Sequence, residues 1–227
     1  MAPSTLAQWF GAAGTIGAVF LALFKDVFRI WWRRPVLSAT CSKETPFTSR
    51  TPIMVATPGS SAVWSGDCYY IRVQIANIGK TRAEKVQMYA SKLAKKGADQ
   101  KFTDVPTFLP LNAKWSNSPT GQSSAVLDGI SPKMAAFADL VALSHPSNPY
   151  QAKPAGTPDG VVIAELQLEV APFSGSNLLS PGTYQLTLRI AAANVDPIEK
   201  ILEFTHTGNW IENDAEMRRD GFGISLM

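Results

Sequence analysis

Two patterns of hydrophobic and polar residues divide the chain. From residue 6 to residue 24 (LAQWFGAAGTIGAVFLALF) no side chain is charged and apolar residues run without alternation. From Val36 onward, apolar and polar positions alternate with period two, as expected of strands with one buried face. Ile71, Val73 and Ile75 share one side of residues 68–77, opposite Arg72 and Gln74. Val162, Ala164, Leu166, Leu168 and Val170 alternate with Glu165, Gln167 and Glu169, and Tyr184, Leu186, Leu188 and Ile190 with Gln185, Thr187 and Arg189. Leu202 and Phe204 continue the pattern, and shorter runs occupy 36–41, 83–93, 102–109 and 134–143. These are about eight strands with no strong amphipathic helix between them, which predicts a mainly β chain folded as an antiparallel sandwich behind an N-terminal helix.

The N-terminal run is 19 residues long, and a helix of that length spans about 28 Å, close to the hydrocarbon core of a bilayer. It is therefore read as a transmembrane helix, anchored by Trp9, Phe20, Phe24, Trp31, Trp32, Arg33 and Arg34 and ending before Pro35. A cleaved signal peptide needs its positive charges before the apolar run, whereas Lys25, Arg29, Arg33 and Arg34 follow it. Lipidation at Cys41 is disfavoured because Ser38-Ala39-Thr40 is a poor recognition sequence lying well past the apolar run. The Trp-Trp-Arg-Arg edge disfavours a buried core helix. Basic residues on the C-terminal side orient the N-terminus outward and the domain toward the cytoplasm, which places the chain in a bacterial inner membrane with a single pass. Gly14, Ala18 and Ala22 recur every four residues, with Ala7 and Gly11 as a second pair. Such small residues either admit a second helix closely or reflect the ordinary composition of membrane spans.

Charge changes the picture beyond the helix. Of the 21 Lys and Arg and 18 Asp and Glu, four bases and one acid, Asp26, precede Pro35. The remainder is balanced, so no basic domain surface suggests nucleic acid as a partner. The expected partners are membrane lipid and either a transmembrane protein or a second copy of the chain.

Two turns refine the fold. Asn77-Ile78-Gly79-Lys80 joins two alternating runs, where a glycine with positive φ is expected. Leu179-Ser180-Pro181-Gly182-Thr183-Tyr184 leads directly into a strand, and its Tyr is either a core residue after a Pro-Gly turn or one that closes a corner between sheets through its hydroxyl. YYIRVQIANIGKTRAEKVQMYASKL and LLSPGTYQLTLRIAAANVDPIEKILEF are together similar to bacterial Ig-like domains of the CARDB type. That family's signature is a V-x-V-x-N-x-G strand and turn followed by a late L-x-P-G-x-Y strand. Asn77, Gly79, Gly182 and Tyr184 match it residue by residue. The chain also resembles a group of bacterial single-span membrane proteins in which such a domain follows an N-terminal helix. The resemblance implies an Ig-like antiparallel β-sandwich and assigns no chemistry. CARDB modules are mostly extracellular and adhesive, and the charge order here departs from that placement.

The resulting division is a helix with its basic and aromatic edge (1–34), a sandwich with long loops (35–207) and a tail packed on the domain (208–227). Residues 42–67 and 144–160, rich in Pro, Ser, Thr and Gly, read as long loops. Trp115 is either a partner anchor or a core residue, and His145 and Tyr150 in the second loop are further candidate contacts. In the tail, Glu212, Asp214, Glu216, Arg218 and Arg219 suit one or two helical turns before a strand-like end.

Cys41 and Cys68 are the only cysteines, and His145 and His206 the only histidines. No metal spacing is present, both histidines read as solvent-facing, and a cytoplasmic domain would keep its thiols reduced. Nucleophile-elbow and phosphate-loop motifs are absent from the sequence, so no cofactor and no enzymatic activity are expected. The sequence therefore points to a non-enzymatic protein-binding module, a scaffold or accessory subunit. Alternatives are a ligand-sensing or defence-type effector whose sandwich controls helix association, and an envelope adhesion domain.

Overall fold

A computed structural model of the chain describes residues 3–56, 63–116 and 125–227, with the side chains of 3–8, 12 and 26–32 left out. Helix α1 (Pro3–Arg33) comes first, and fourteen strands follow among the described residues. They are β1 (Leu37–Thr40), β2 (Thr48–Ala56), β3 (Val63–Asn77), β4 (Ala83–Lys96), β5 (Phe102–Asp104), β6 (Leu111–Asn112), β7 (Lys114–Trp115), β8 (Val126–Ile130), β9 (Ala135–Ser144), β10 (Ala164–Leu166), β11 (Leu178–Leu179), β12 (Gly182–Ala192), β13 (Val195–His206) and β14 (Phe222–Leu226). A short helix α2 (Asp214–Glu216) and a wider turn, Met217–Gly221, precede β14.

The strands form two antiparallel sheets. In the first, the order is β1-β3-β9-β10-β11, with β2 on β3 and β7 on β9; in the second it is β14-β13-β12-β4-β5, with β6 and β8 on β4. Between them lies one core, to which β3 contributes Ile71, Val73 and Ile75 and β12 contributes Tyr184, Leu186, Leu188 and Ile190. The alternation read from the sequence is thus the alternation of burial along these strands. This is a mainly β chain with a β-sandwich.

Several predicted boundaries change. The stretch 42–67 is a loop only in part, because β2 pairs with β3 from Thr48↔Ile71 to Ala56↔Val63. Pro52 lies within β2, which pairs on one side only, with β3, and such an edge tolerates a residue that donates no ladder hydrogen bond. The run 162–170 contracts to β10, with Leu168 reaching Ala113 through an isolated bridge. The run 102–109 stops at Asp104, two residues before Pro106. At the other end of the chain, β14 pairs with β13 from Leu202↔Leu226 to His206↔Phe222, so the tail completes the second sheet.

Candidate functional site

The end of the sandwich that receives α1 is built around Asn77. Its side chain is fully buried at the end of β3, and all its hydrogen-bonding capacity is directed at backbone. Nδ2 donates to Thr81 O at 2.7 Å and Ile130 O at 2.9 Å. Oδ1 accepts from Gly79 N at 3.0 Å and Val36 N at 3.3 Å. One amide therefore ties the start of β1, the β3–β4 turn and the end of β8 together. The helix terminus is held by Thr81, whose hydroxyl donates to Arg33 O at 2.7 Å.

The positive φ expected at Gly79 is absent. A Cβ there would come within 2.6 Å of Arg34 O and Pro35 Cα, so glycine is required by the close approach of the chain leaving α1 and not by its own torsion. Gly182 does have positive φ, 149°. It leads into Tyr184, whose ring is buried and whose hydroxyl donates to Ser180 O at 2.7 Å.

The same carbonyl accepts a second bond. His206, expected at the surface, is buried, and its Nε2 lies 3.1 Å from Leu179 O and 3.0 Å from Ser180 O. Two carbonyl partners require Nε2 to carry the proton. Burial pushes the imidazole below its ordinary pKa, against the opposing effect of these two bonds. Nδ1 is buried without a hydrogen-bond partner among the described residues.

The candidate partner contacts separate. Trp115 is 3% exposed in the core, paired across from Ala138, which removes it as a surface anchor. Tyr150 is exposed. His145 is half-buried, edge-on to Trp210 at 4.9 Å between ring centroids, with Nε2 3.4 Å from Glu212 Oε1. It belongs to a clamp that fastens the tail to the first sheet. Arg50 of β2 donates to Asp67 at 2.8 Å and to Glu212 O at 2.6 Å, and its guanidinium lies over the Trp210 ring. Tyr69 donates to Asp214 at 2.8 Å, and Arg218 pairs with Asp214 at 3.0 Å. Burial would raise the Asp214 pKa, but the Tyr69 hydroxyl and Arg218 outweigh it and hold the carboxyl below the usual range. Sequence reading singled out Asp214 and Arg218 but not Arg50 or Tyr69, which are more than 140 residues away.

Reactive groups are subdued. Burial pushes the Cys41 thiol up to about 12 and the Cys68 thiol up to about 11, so both stay protonated at neutral pH. Among the described residues, no group of three or more His, Cys, Asp and Glu is placed to hold a metal.

Helix α1 contrasts with all of this. Its described side chains from Trp9 to Lys25 are exposed throughout, including Phe20 and Phe24. Gly11 and Gly14 have nothing within 4 Å of the position a Cβ would take, and Ala18 and Ala22 are likewise exposed. Arg33 and Arg34 are exposed as well, whereas the side chains of Trp31 and Trp32 lie outside the described residues. Among the described residues no helix is long and apolar enough to cross a membrane; the span read from the sequence counts residues 6–8 and 12, whose side chains are not described. No protein-family model, curated protein or solved structure matches the chain.

Proposed function

We propose that the protein is a membrane-anchored, non-enzymatic protein-binding module, a scaffold or accessory subunit of a bacterial membrane complex. In this reading α1 crosses the bilayer with its N-terminus outside, and an Ig-like sandwich of the CARDB type stands in the cytoplasm. The observation that carries it is the exposure of every described apolar side chain along α1 from Trp9 and Phe10 to Leu23 and Phe24. Such a surface is stable in lipid or against another helix and is costly in water. The Ig-like assignment is supported by β1-β3-β9 lying in one sheet and β13-β12-β4 in the other, together with the Tyr184 bond at the start of β12. Small residues on the open face of α1 supply a contact for a partner helix.

The test is extraction and copurification of the full chain. It should resist alkaline carbonate, and Gly14→Leu with Ala18→Leu should leave it in the membrane while releasing its partner or its second copy. Release of the wild-type chain by carbonate would refute the anchor, and an unchanged complex in the double variant would move the contact to the sandwich. Topology is read from an introduced cysteine at the fully exposed Phe173, since Cys68 is buried and Cys41 half-buried. Labelling of Phe173→Cys by an impermeant reagent in intact cells would overturn the cytoplasmic placement.

A second reading, the ligand-controlled effector, is favoured by one feature. A hollow of about 370 Å³ lies between the chain leaving α1, at Arg34–Leu37, and the β12–β13 connection with the start of β13, at Ala193–Asp196. A small molecule seated there would touch both the helix exit and the sandwich. A ligand-dependent change in oligomeric state would select this reading over a fixed scaffold.

A further inference from the structure

Strands β1, β3 and β9 lie side by side in the first sheet, and the residues immediately beyond their ends at the helix side are Val36, Ile78 and Met134. Backbone bonds lock these positions into a row: Ile78 N donates to Val36 O at 2.8 Å and Asn77 N to Met134 O at 3.0 Å. With neighbouring strands about 4.8 Å apart, the row is roughly 10 Å wide. Turn residues at strand ends are ordinarily small or polar, yet these three are large, apolar and 38%, 65% and 60% exposed.

Basic residues surround the row. Arg33 ends the helix and Arg34 follows it, Lys80 lies in the β3–β4 turn with its amide donating to Arg34 O, and Lys133 donates its amide to Asn77 O at 2.8 Å. All four side chains are exposed. Of the acids at this end, Asp128 pairs with Arg82, and Asp196 shares the hollow with Arg34 and Val36. An apolar row rimmed by cations on one side of the helix exit matches the headgroup layer of an anionic bilayer, where apolar side chains enter and Lys and Arg meet phosphates.

We propose that this end of the sandwich docks on the anionic membrane surface, with Val36, Ile78 and Met134 in the headgroup layer and Arg33, Arg34, Lys80 and Lys133 on lipid phosphates. The proposal rests on α1 being inserted. It gives the domain a fixed posture, turning the opposite end, where β9 leads to Tyr150, toward soluble partners.

The experiment uses the full chain in vesicles of phosphatidylcholine with or without phosphatidylglycerol, spin-labelled in turn at Met134→Cys, Phe173→Cys and Ile16→Cys. Accessibility to a water-soluble relaxation agent is the readout. With phosphatidylglycerol, the Met134 label should lose water accessibility while the Phe173 label keeps it. Adding Lys80→Gln and Lys133→Gln should restore accessibility at Met134, since each charge is worth about fivefold in partition to an anionic surface. Equal accessibility at Met134 and Phe173 overturns docking alone if the Ile16 label is in hydrocarbon, and overturns the anchor as well if Ile16 is in water. Shielding of Met134 that follows protein-to-lipid ratio, and not anionic lipid, assigns the face to a second copy and also overturns docking.

Discussion

Phe20 and Leu188 are both apolar residues in regular secondary structure, and they face opposite surroundings. Phe20 lies on α1 with 53% of its surface exposed and the Phe24 ring tilted beside it, at 4.4 Å between ring centroids. Leu188 is fully buried between two sheets. In the sandwich, long-range pairing supplies the apolar environment; along α1, no described residue of the sandwich does. The difference teaches that the two regions depend on different solvents, so a substitution should disable one and spare the other.

The largest separation should come from Asn77→Leu. Removing the amide strands Ile130 O in the buried interior and takes a partner from Val36 N, Gly79 N and Thr81 O nearer the surface, and a buried unsatisfied group costs about 1–3 kcal/mol. A loss of about 2–4 kcal/mol is expected, a large part of the stability of a typical domain. Denaturant unfolding of the full chain in detergent measures it. The variant should still partition into the membrane fraction, because α1 does not depend on the hub.

The converse substitution is Ile16→Lys. On an exposed helix in water it would change little, but at the centre of a membrane span a lysine costs about 2.5–3.5 kcal/mol. Loss from the membrane fraction, with the unfolding midpoint of the sandwich unchanged, is the expected result. Retention in the membrane would remove the distinction drawn between the two regions.

Much of this division is legible in the sequence because both signals are local. Nineteen uncharged residues need no tertiary context to be noticed, and neither does the alternation of 71–75 or 184–190. What escapes is whatever depends on a distant partner. Gly79 reads as a turn glycine, but its reason is the backbone of Arg34 and Pro35 packed against it. The β2 half of a hairpin is hidden by Pro52, which only an edge strand tolerates. The tail clamp needs Arg50 and Tyr69, which no spacing connects to residues 210–218. His206 is a different case, since it shares the even-numbered parity of Leu202 and Phe204 and so belongs to the inward face of β13 by the same alternation. The parity signals burial, against the general tendency of a histidine at a strand end to be wet.

That histidine makes the sandwich sensitive to pH where the helix is not. Its folded pKa is lowered by burial, so the unfolded chain takes up a proton first, near pH 6.5. Stability is therefore complete above that value and falls as pH drops through it toward the folded pKa. A second N–H, at Nδ1, would then lie in the core without an acceptor. The denaturant midpoint should decline between about pH 7.5 and pH 5.5, and His206→Gln should flatten the decline. An equal slope in both proteins would show that other groups govern the acid response.

The smallest effect is expected at Tyr184, and it is the most specific test of how the two sheets are joined. Tyr184→Phe keeps the ring buried among Leu186, Leu202 and Phe204 and deletes only the hydroxyl that donates to Ser180 O. A neutral hydrogen bond of this kind contributes about 0.5–1.5 kcal/mol. Ser180 O retains its bond from His206 Nε2, so no buried carbonyl is orphaned and the loss should lie at the lower end of that range. This sharing predicts coupling: in a His206→Leu background, which has no donor, the same Tyr184→Phe change should cost more, because Ser180 O then loses the Nε2 bond and the hydroxyl together. A double-mutant cycle on unfolding midpoints measures it, and strictly additive effects would mean that the two side chains hold the corner independently.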